Sequence, residues 1–102
     1  MKITIGRSPN NDVVVENKTV SRQHAVLEVS DGTIVIKDLG SSSGTYIAAD
    51  GGLHRINYHA LRDTDTILIG NERFVVRELI SAASNRDVVY QKNPITGEIL
   101  RK

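Results

Sequence analysis

Cysteine is absent from the chain, which excludes a disulfide framework, a thiolate metal site and a cysteine nucleophile. Tryptophan is absent too, and with one Phe and three Tyr any core has to be built from Val, Ile and Leu. The same scarcity argues against a nucleic-acid-binding barrel, which needs aromatic platforms for stacked bases. An excess of charge of one sign is also missing. Thirteen Lys and Arg stand against twelve Asp and Glu; residues 1–80 hold nine basic and ten acidic side chains, and residues 81–102 hold four and two. Neither part has the basic footprint by which nucleic-acid binders neutralise phosphates, so any phosphate site has to be local. No apolar run approaches the roughly 20 residues of a membrane span. Met1 leads into Lys-Ile-Thr-Ile with no leader-like basic and apolar regions. The expectation is a cytoplasmic chain with no membrane or nucleic-acid partner, whose 102 residues make one domain able to bury a core without staples.

What is present is a series of short β-branched segments separated by turn residues: 2–5, 12–15, 24–30, 33–37, 44–48, 66–69 and 73–79. Apolar and polar residues alternate clearly in Ala25–Ser30 and Thr33–Lys37. Asp31-Gly32 between them suits a tight hairpin turn, so these two strands are expected to be antiparallel neighbours. No segment of helical length keeps an uninterrupted i, i+3, i+4, i+7 pattern; residues 54–63 are ambiguous, and their alternation favours a strand. The reading is all-β, with many short strands at the close spacing of a sandwich. The one shift in composition, Ser81-Ala82-Ala83-Ser84-Asn85, reads as the start of a linker.

Three islands stand in order: Gly6-Arg7-Ser8-Pro9-Asn10-Asn11-Asp12, Val20-Ser21-Arg22-Gln23-His24-Ala25, and Asp38-Leu39-Gly40-Ser41-Ser42-Ser43-Gly44-Thr45. Together they resemble the forkhead-associated (FHA) family in its bacterial-type pattern. Similar patterning runs on through Leu61–Gly70, with Thr64 where the family commonly has Gly. The resemblance covers about residues 1–80 and starts at the first strand, so an N-terminal autoinhibitory segment carried by some relatives is expected to be missing. It implies a β-sandwich of about eleven short strands whose loops at one end bind phosphothreonine. It also implies an adaptor without catalysis or cofactor, in a cell with Ser/Thr kinases, whose partners are phosphothreonine-containing kinase substrates.

By this resemblance Arg7 is the main phosphate ligand, and a planar guanidinium holds two oxygens at once where Lys would be a point charge. Ser21 supplies a hydroxyl donor to the phosphate. Arg22 stands near the phosphate or the peptide backbone, and Ser42 in the loop that faces both. Ser43 departs from the family, which usually has Asn there to pair with the peptide main chain. Binding with weaker peptide anchoring is one reading of that change, and a phosphate-independent partner is the other. Gly6, His24, Gly44 and Thr45 shape the site without touching ligand.

Enzyme readings are thin. Ser21, His24 and Asp38 suggest a triad, but Ser and His three residues apart on an extended strand face opposite ways. His24, His54 and His59 lack the i, i+4 helical spacing of zinc motifs, so no metal is expected. Gly40-Ser-Ser-Ser-Gly44 has no following Lys and leads into a strand, unlike a nucleotide phosphate loop.

Beyond the FHA-like domain at 1–80 lies an extension, 81–102, read as a linker (81–87) and a hairpin (88–101). Val88–Lys92 is strand-like, Asn93-Pro94-Ile95-Thr96-Gly97 has the chemistry of a type I turn closed by a left-handed Gly, and Glu98–Arg101 returns. A lone hairpin is marginal in water, so it has to dock, either on its own sandwich or on a second chain as a homodimer or partner contact.

Overall fold

In the computed structural model, which describes residues 1–83, 89–92 and 99–100, the alternating segments are strands and their apolar phases point to one shared interior. Strands β1 (Lys2–Gly6), β2 (Val13–Val15), β3 (Ala25–Ser30), β4 (Thr33–Asp38) and β7 (Tyr58–Leu61) belong to one sheet, joined by β10 (Val89–Lys92) and β11 (Ile99–Leu100). Its order is β11-β10-β2-β1-β3-β4-β7. The second sheet, in the order β6-β5-β8-β9, holds β5 (Thr45–Ala49), β6 (Gly52–Ile56), β8 (Thr66–Ile69) and β9 (Glu72–Val75). Ile3, Ile5, Leu27 and Ile36 from the first sheet pack with Ile67, Ile69 and Phe74 from the second. Phe74 is the one aromatic of this aliphatic core.

The Asp31-Gly32 turn forms as expected. Ser30 pairs with Thr33, and both turn residues take positive φ, 49° and 76°, the geometry that matches the twist of the strands it joins. A second turn of the same kind joins β5 to β6, with Asp50 at 51° and Gly51 at 76°. Within residues 54–63 the structure has strand, as their alternation suggested, but in two pieces, the end of β6 and the whole of β7, which a bend at Asn57 separates and which lie in different sheets.

Two expectations need correction. Strand β9 ends at Val75, and Val76–Ala83 is an α-helix, α1, where the sequence pattern suits a strand to residue 79 and a linker from 81. Val76, Leu79, Ile80 and Ala83 do stand at i, i+3, i+4 and i+7; the β-branched run before them hid where the period changes. Val76, Leu79 and Ala82 are buried, and the first helical amides are satisfied by main chain: Val76 N donates to Asp65 O at 2.9 Å and Arg77 N to Asp63 O at 2.9 Å.

The two strands expected in the extension are present and pair with each other, Gln91 opposite Leu100 and Lys92 opposite Ile99. Strand β10 also runs parallel to β2, with Val89 beside Val14 and Tyr90 beside Val15, so the hairpin strands extend a sheet of their own chain. The expected turn at 93–97 and the residues 84–88 fall outside the described residues. No helix among the described residues is long and apolar enough to cross a membrane.

Candidate functional site

Four loops meet at one end of the sandwich: residues 7–12, 16–24, 39–44 and 70–71. The first two are laced by main chain, Arg7 N donating to Ser21 O at 3.0 Å and Ser8 N to Arg22 O at 3.3 Å. Gly6 makes that approach sterically feasible. A Cβ there would lie 2.1 Å from the Arg22 carbonyl oxygen, where no side chain fits. Asn11, buried beneath, donates from Nδ2 to Ser8 O at 2.9 Å and to Arg22 O at 2.7 Å.

Arg7 is exposed, and its Nε donates to Val20 O at 3.1 Å. That bond fixes the plane of the guanidinium and leaves its two terminal nitrogens without a partner among the described residues. Arg7, Ser8, Pro9 and Arg22 line a surface depression. Further depressions lie elsewhere, among them one against the β5–β6 turn and one beside Ile34 and Ile80.

Ser21 joins the second loop to the third, its Oγ accepting from Ser42 N at 3.2 Å. Its hydroxyl proton remains free for a further acceptor. Ser42 is exposed and Ser43 half-buried, with the Ser43 carbonyl accepting from the Tyr46 hydroxyl at 2.8 Å. Arg7, Ser21, Arg22, Ser42 and Ser43 therefore share one rim.

His24 is fully buried beneath that rim. Its Nδ1 accepts from Ser21 N at 3.0 Å, so the ring carries its proton on Nε2, which donates to Gly44 O at 2.9 Å. Burial holds its pKa below 6.5, against the opposing pull of the Gly44 carbonyl and Asp38. The neutral ring makes the 4.0 Å approach of Asp38 Oδ2 a dipolar contact and not an ion pair. The Ser21 main chain, and not its hydroxyl, meets the imidazole, so this cluster is not a nucleophile with its base.

Asp38 organises the serine loop. Its carboxylate accepts from Gly40 N and Ser41 N at 2.8 Å, from Ser41 Oγ at 2.5 Å and from Thr45 Oγ1 at 2.8 Å. Burial alone would raise its pKa; these donors outweigh that and hold it below 3.8. Gly44, at φ 91°, closes the loop, its carbonyl accepting from both His24 and Gly70 N.

The sequence reading missed three positioning residues. Asn11 and Asp38 lie within the quoted islands, where their type signals only a turn. Asn17 lies outside them. Its Oδ1 accepts from Thr19 N and Oγ1, and its Nδ2 donates to Asn71 Oδ1 and Glu72 Oε1 at 2.6 and 2.8 Å, tying the second loop to the fourth. Among the described residues no group of three or more His, Asp or Glu could hold a metal ion.

The family model of the FHA domain matches residues 3–70, and those residues contain the whole rim. The chain belongs to the FHA domain family. It is 36% identical over 72 residues to an oxoglutarate dehydrogenase inhibitor of Corynebacterium efficiens, covering 71% of this chain and 48% of the relative. The chain thus spans about half the length of that relative. Among solved structures, the FHA domain resembles that of the CT664 protein from Chlamydia trachomatis, with TM-score 0.67, 26% identity and 74% of each chain covered. It also resembles Mycobacterium tuberculosis EmbR in complex with a low-affinity phosphopeptide, with TM-score 0.65, 36% identity, and coverage of 72% of this chain and 19% of that one.

Proposed function

We propose that this FHA domain is a non-catalytic adaptor that binds phosphothreonine on partner proteins through the rim of Arg7, Ser21, Arg22, Ser42 and Ser43. The observation that carries this is the Arg7 guanidinium, oriented by Val20 O, with its terminal nitrogens unpaired among the described residues, on a loop whose main chain is bonded to that of Ser21. A phosphothreonine brings nearly two negative charges and three acceptor oxygens, which require a fixed cation and short donors on rigid loops. The phosphopeptide held by EmbR supports the same reading for a relative of equal identity. We assign recognition to residues 1–80, with 81–102 as an added sheet edge, and place the adaptor in the cytoplasm beside Ser/Thr kinases whose substrates are its partners. A role independent of nucleic acid and membrane fits the balanced charge.

Replacing Arg7 with Ala tests the reading. Charge-assisted hydrogen bonds contribute about 1.5–3 kcal/mol each, so losing two weakens a phosphothreonine peptide by roughly a hundredfold or more. Calorimetric titration is expected to show that loss while the variant still unfolds cooperatively, its melting temperature lowered by only the few degrees that the lost Arg7–Val20 bond accounts for. Equal affinity in variant and parent would overturn the assignment.

A further inference from the structure

The four-stranded sheet has an outer face patterned unlike an ordinary solvent face. Strand β8 turns Ile67 and Ile69 into the core and Thr66 and Leu68, both half-buried, outward, so that Leu68 stands where an antiparallel sheet facing water usually has a polar side chain. The pairings Arg55–Tyr46, Tyr46–Leu68 and Leu68–Arg73 place these four side chains in one rank across the sheet, directly below the loop end. Ala48, Leu53 and Val75 lie in the next rank with Thr66, which pairs with Val75, and Ala48, Asp50, Leu53 and Arg73 line a shallow depression there. No acidic residue stands in either rank, and both arginines are exposed without an ion-pair partner among the described residues.

This face is continuous with the rim. The Tyr46 hydroxyl donates to Ser43 O, and Arg55 Nε lies 3.0 Å from where a Gly44 Cβ would stand, so Arg55 lies against the outer edge of the serine loop. Two copies of the chain face to face would bring four arginines together, which charge complementarity disfavours. The occupant that fits is acidic and apolar.

We infer that the rank from Arg55 to Arg73 binds an extended acidic–apolar segment of the partner chain that carries the phosphothreonine, an inference that rests on the phosphothreonine reading of the rim. Geometry sets the spacing. From Ser42, which meets Ser21, to Gly44 is two Cα steps, at most about 7 Å, so the first acidic residue falls within about two to three positions of the phosphothreonine. Three interstrand steps of about 4.8 Å separate Arg55 from Arg73, which an extended chain crosses in about four residues. The second acidic residue follows at that distance, with an apolar side chain between the two over Tyr46 and Leu68.

The test uses synthetic phosphothreonine peptides and the 102-residue chain. One peptide has Ala and Ser flanks; two others carry the acidic–apolar–acidic pattern on the C-terminal or the N-terminal flank. One patterned peptide is expected to bind roughly tenfold tighter than the neutral one. That gain disappears in the Arg55→Gln, Arg73→Gln double variant, which binds the neutral peptide as the parent does. It survives in an Arg62→Gln, Arg77→Gln variant, which removes equal charge from other exposed positions. No gain from either pattern, or a gain that persists without Arg55 and Arg73, overturns the inference while phosphate dependence and the Arg7→Ala loss remain. If phosphorylation itself makes no difference and Arg7→Ala is silent, the rim reading has failed and this inference fails with it.

Discussion

Ser43 accepts the Tyr46 hydroxyl on its carbonyl, while its own hydroxyl meets no described residue. An Asn at this position would reach further and offer both a donor and an acceptor to a peptide crossing the rim. Ser43→Asn is expected to tighten phosphothreonine-peptide binding three- to tenfold, the net effect of one added hydrogen bond. Titration of parent and variant with one peptide checks this, and no gain beside a disruptive Arg7→Ala would mean the peptide is anchored elsewhere. At this scale, legibility depended on residue type. Arg7, Ser21 and His24 were singled out through a family resemblance carried by three ordered islands, and the fold brings them to one end of the sandwich. Asn11, Asn17 and Asp38 were not, because each works by bonding main-chain amides or carbonyls brought close only by folding. Gly6 was singled out through the resemblance, but its reason, the 2.1 Å approach to the Arg22 carbonyl, belongs to the folded chain.

Strands were easier to read than the helix. Period-2 alternation marks β3 and β4 directly, and Asp31-Gly32 announces its turn by chemistry alone. At β9 and α1 the signal overlaps: Phe74-Val75-Val76 suits a strand by propensity, yet Val76 is already helical and the satisfied amides of its first turn need the carbonyls of Asp63 and Asp65. The helix is held by tertiary packing and is too short to be stable alone. Leu79, fully buried on its inner face, is the side chain on which that packing turns. Leu79→Ala is expected to destabilise the domain by about 2–5 kcal/mol, the range for a buried Leu truncated to Ala. Urea unfolding measures the loss, and phosphopeptide affinity below the unfolding transition should stay within twofold, since α1 contributes nothing to the rim. A loss under about 1 kcal/mol would show that the helix is not part of the cooperative core.

The whole molecule is a frame that brings four loops to one end, and a neutral imidazole pins two of them. His24 receives the Ser21 amide and donates to the Gly44 carbonyl, so protonating Nδ1 would remove an acceptor and leave a buried charge. Burial holds its folded pKa below 6.5, hence the unfolded chain binds the proton more readily and stability rises with pH across that interval. The His24 contribution is fully present above about pH 6.5 and is lost as pH falls toward the lowered folded value. Asp38 adds a second step. Its donors from Ser41, Thr45 and Gly40 outweigh burial and hold its folded pKa below 3.8, so its contribution is present above that value and lost as pH falls through the folded pKa. Thermal melts between pH 8 and 3 are expected to show a melting temperature that is level near neutrality, declines first below about pH 6.5, and declines again in the acid range of Asp38. His24→Gln removes the titratable ring while keeping a donor and an acceptor, so the first decline should vanish and the second remain. An identical first decline in the variant would assign it to another group and dismiss His24 as the acid-sensitive pin.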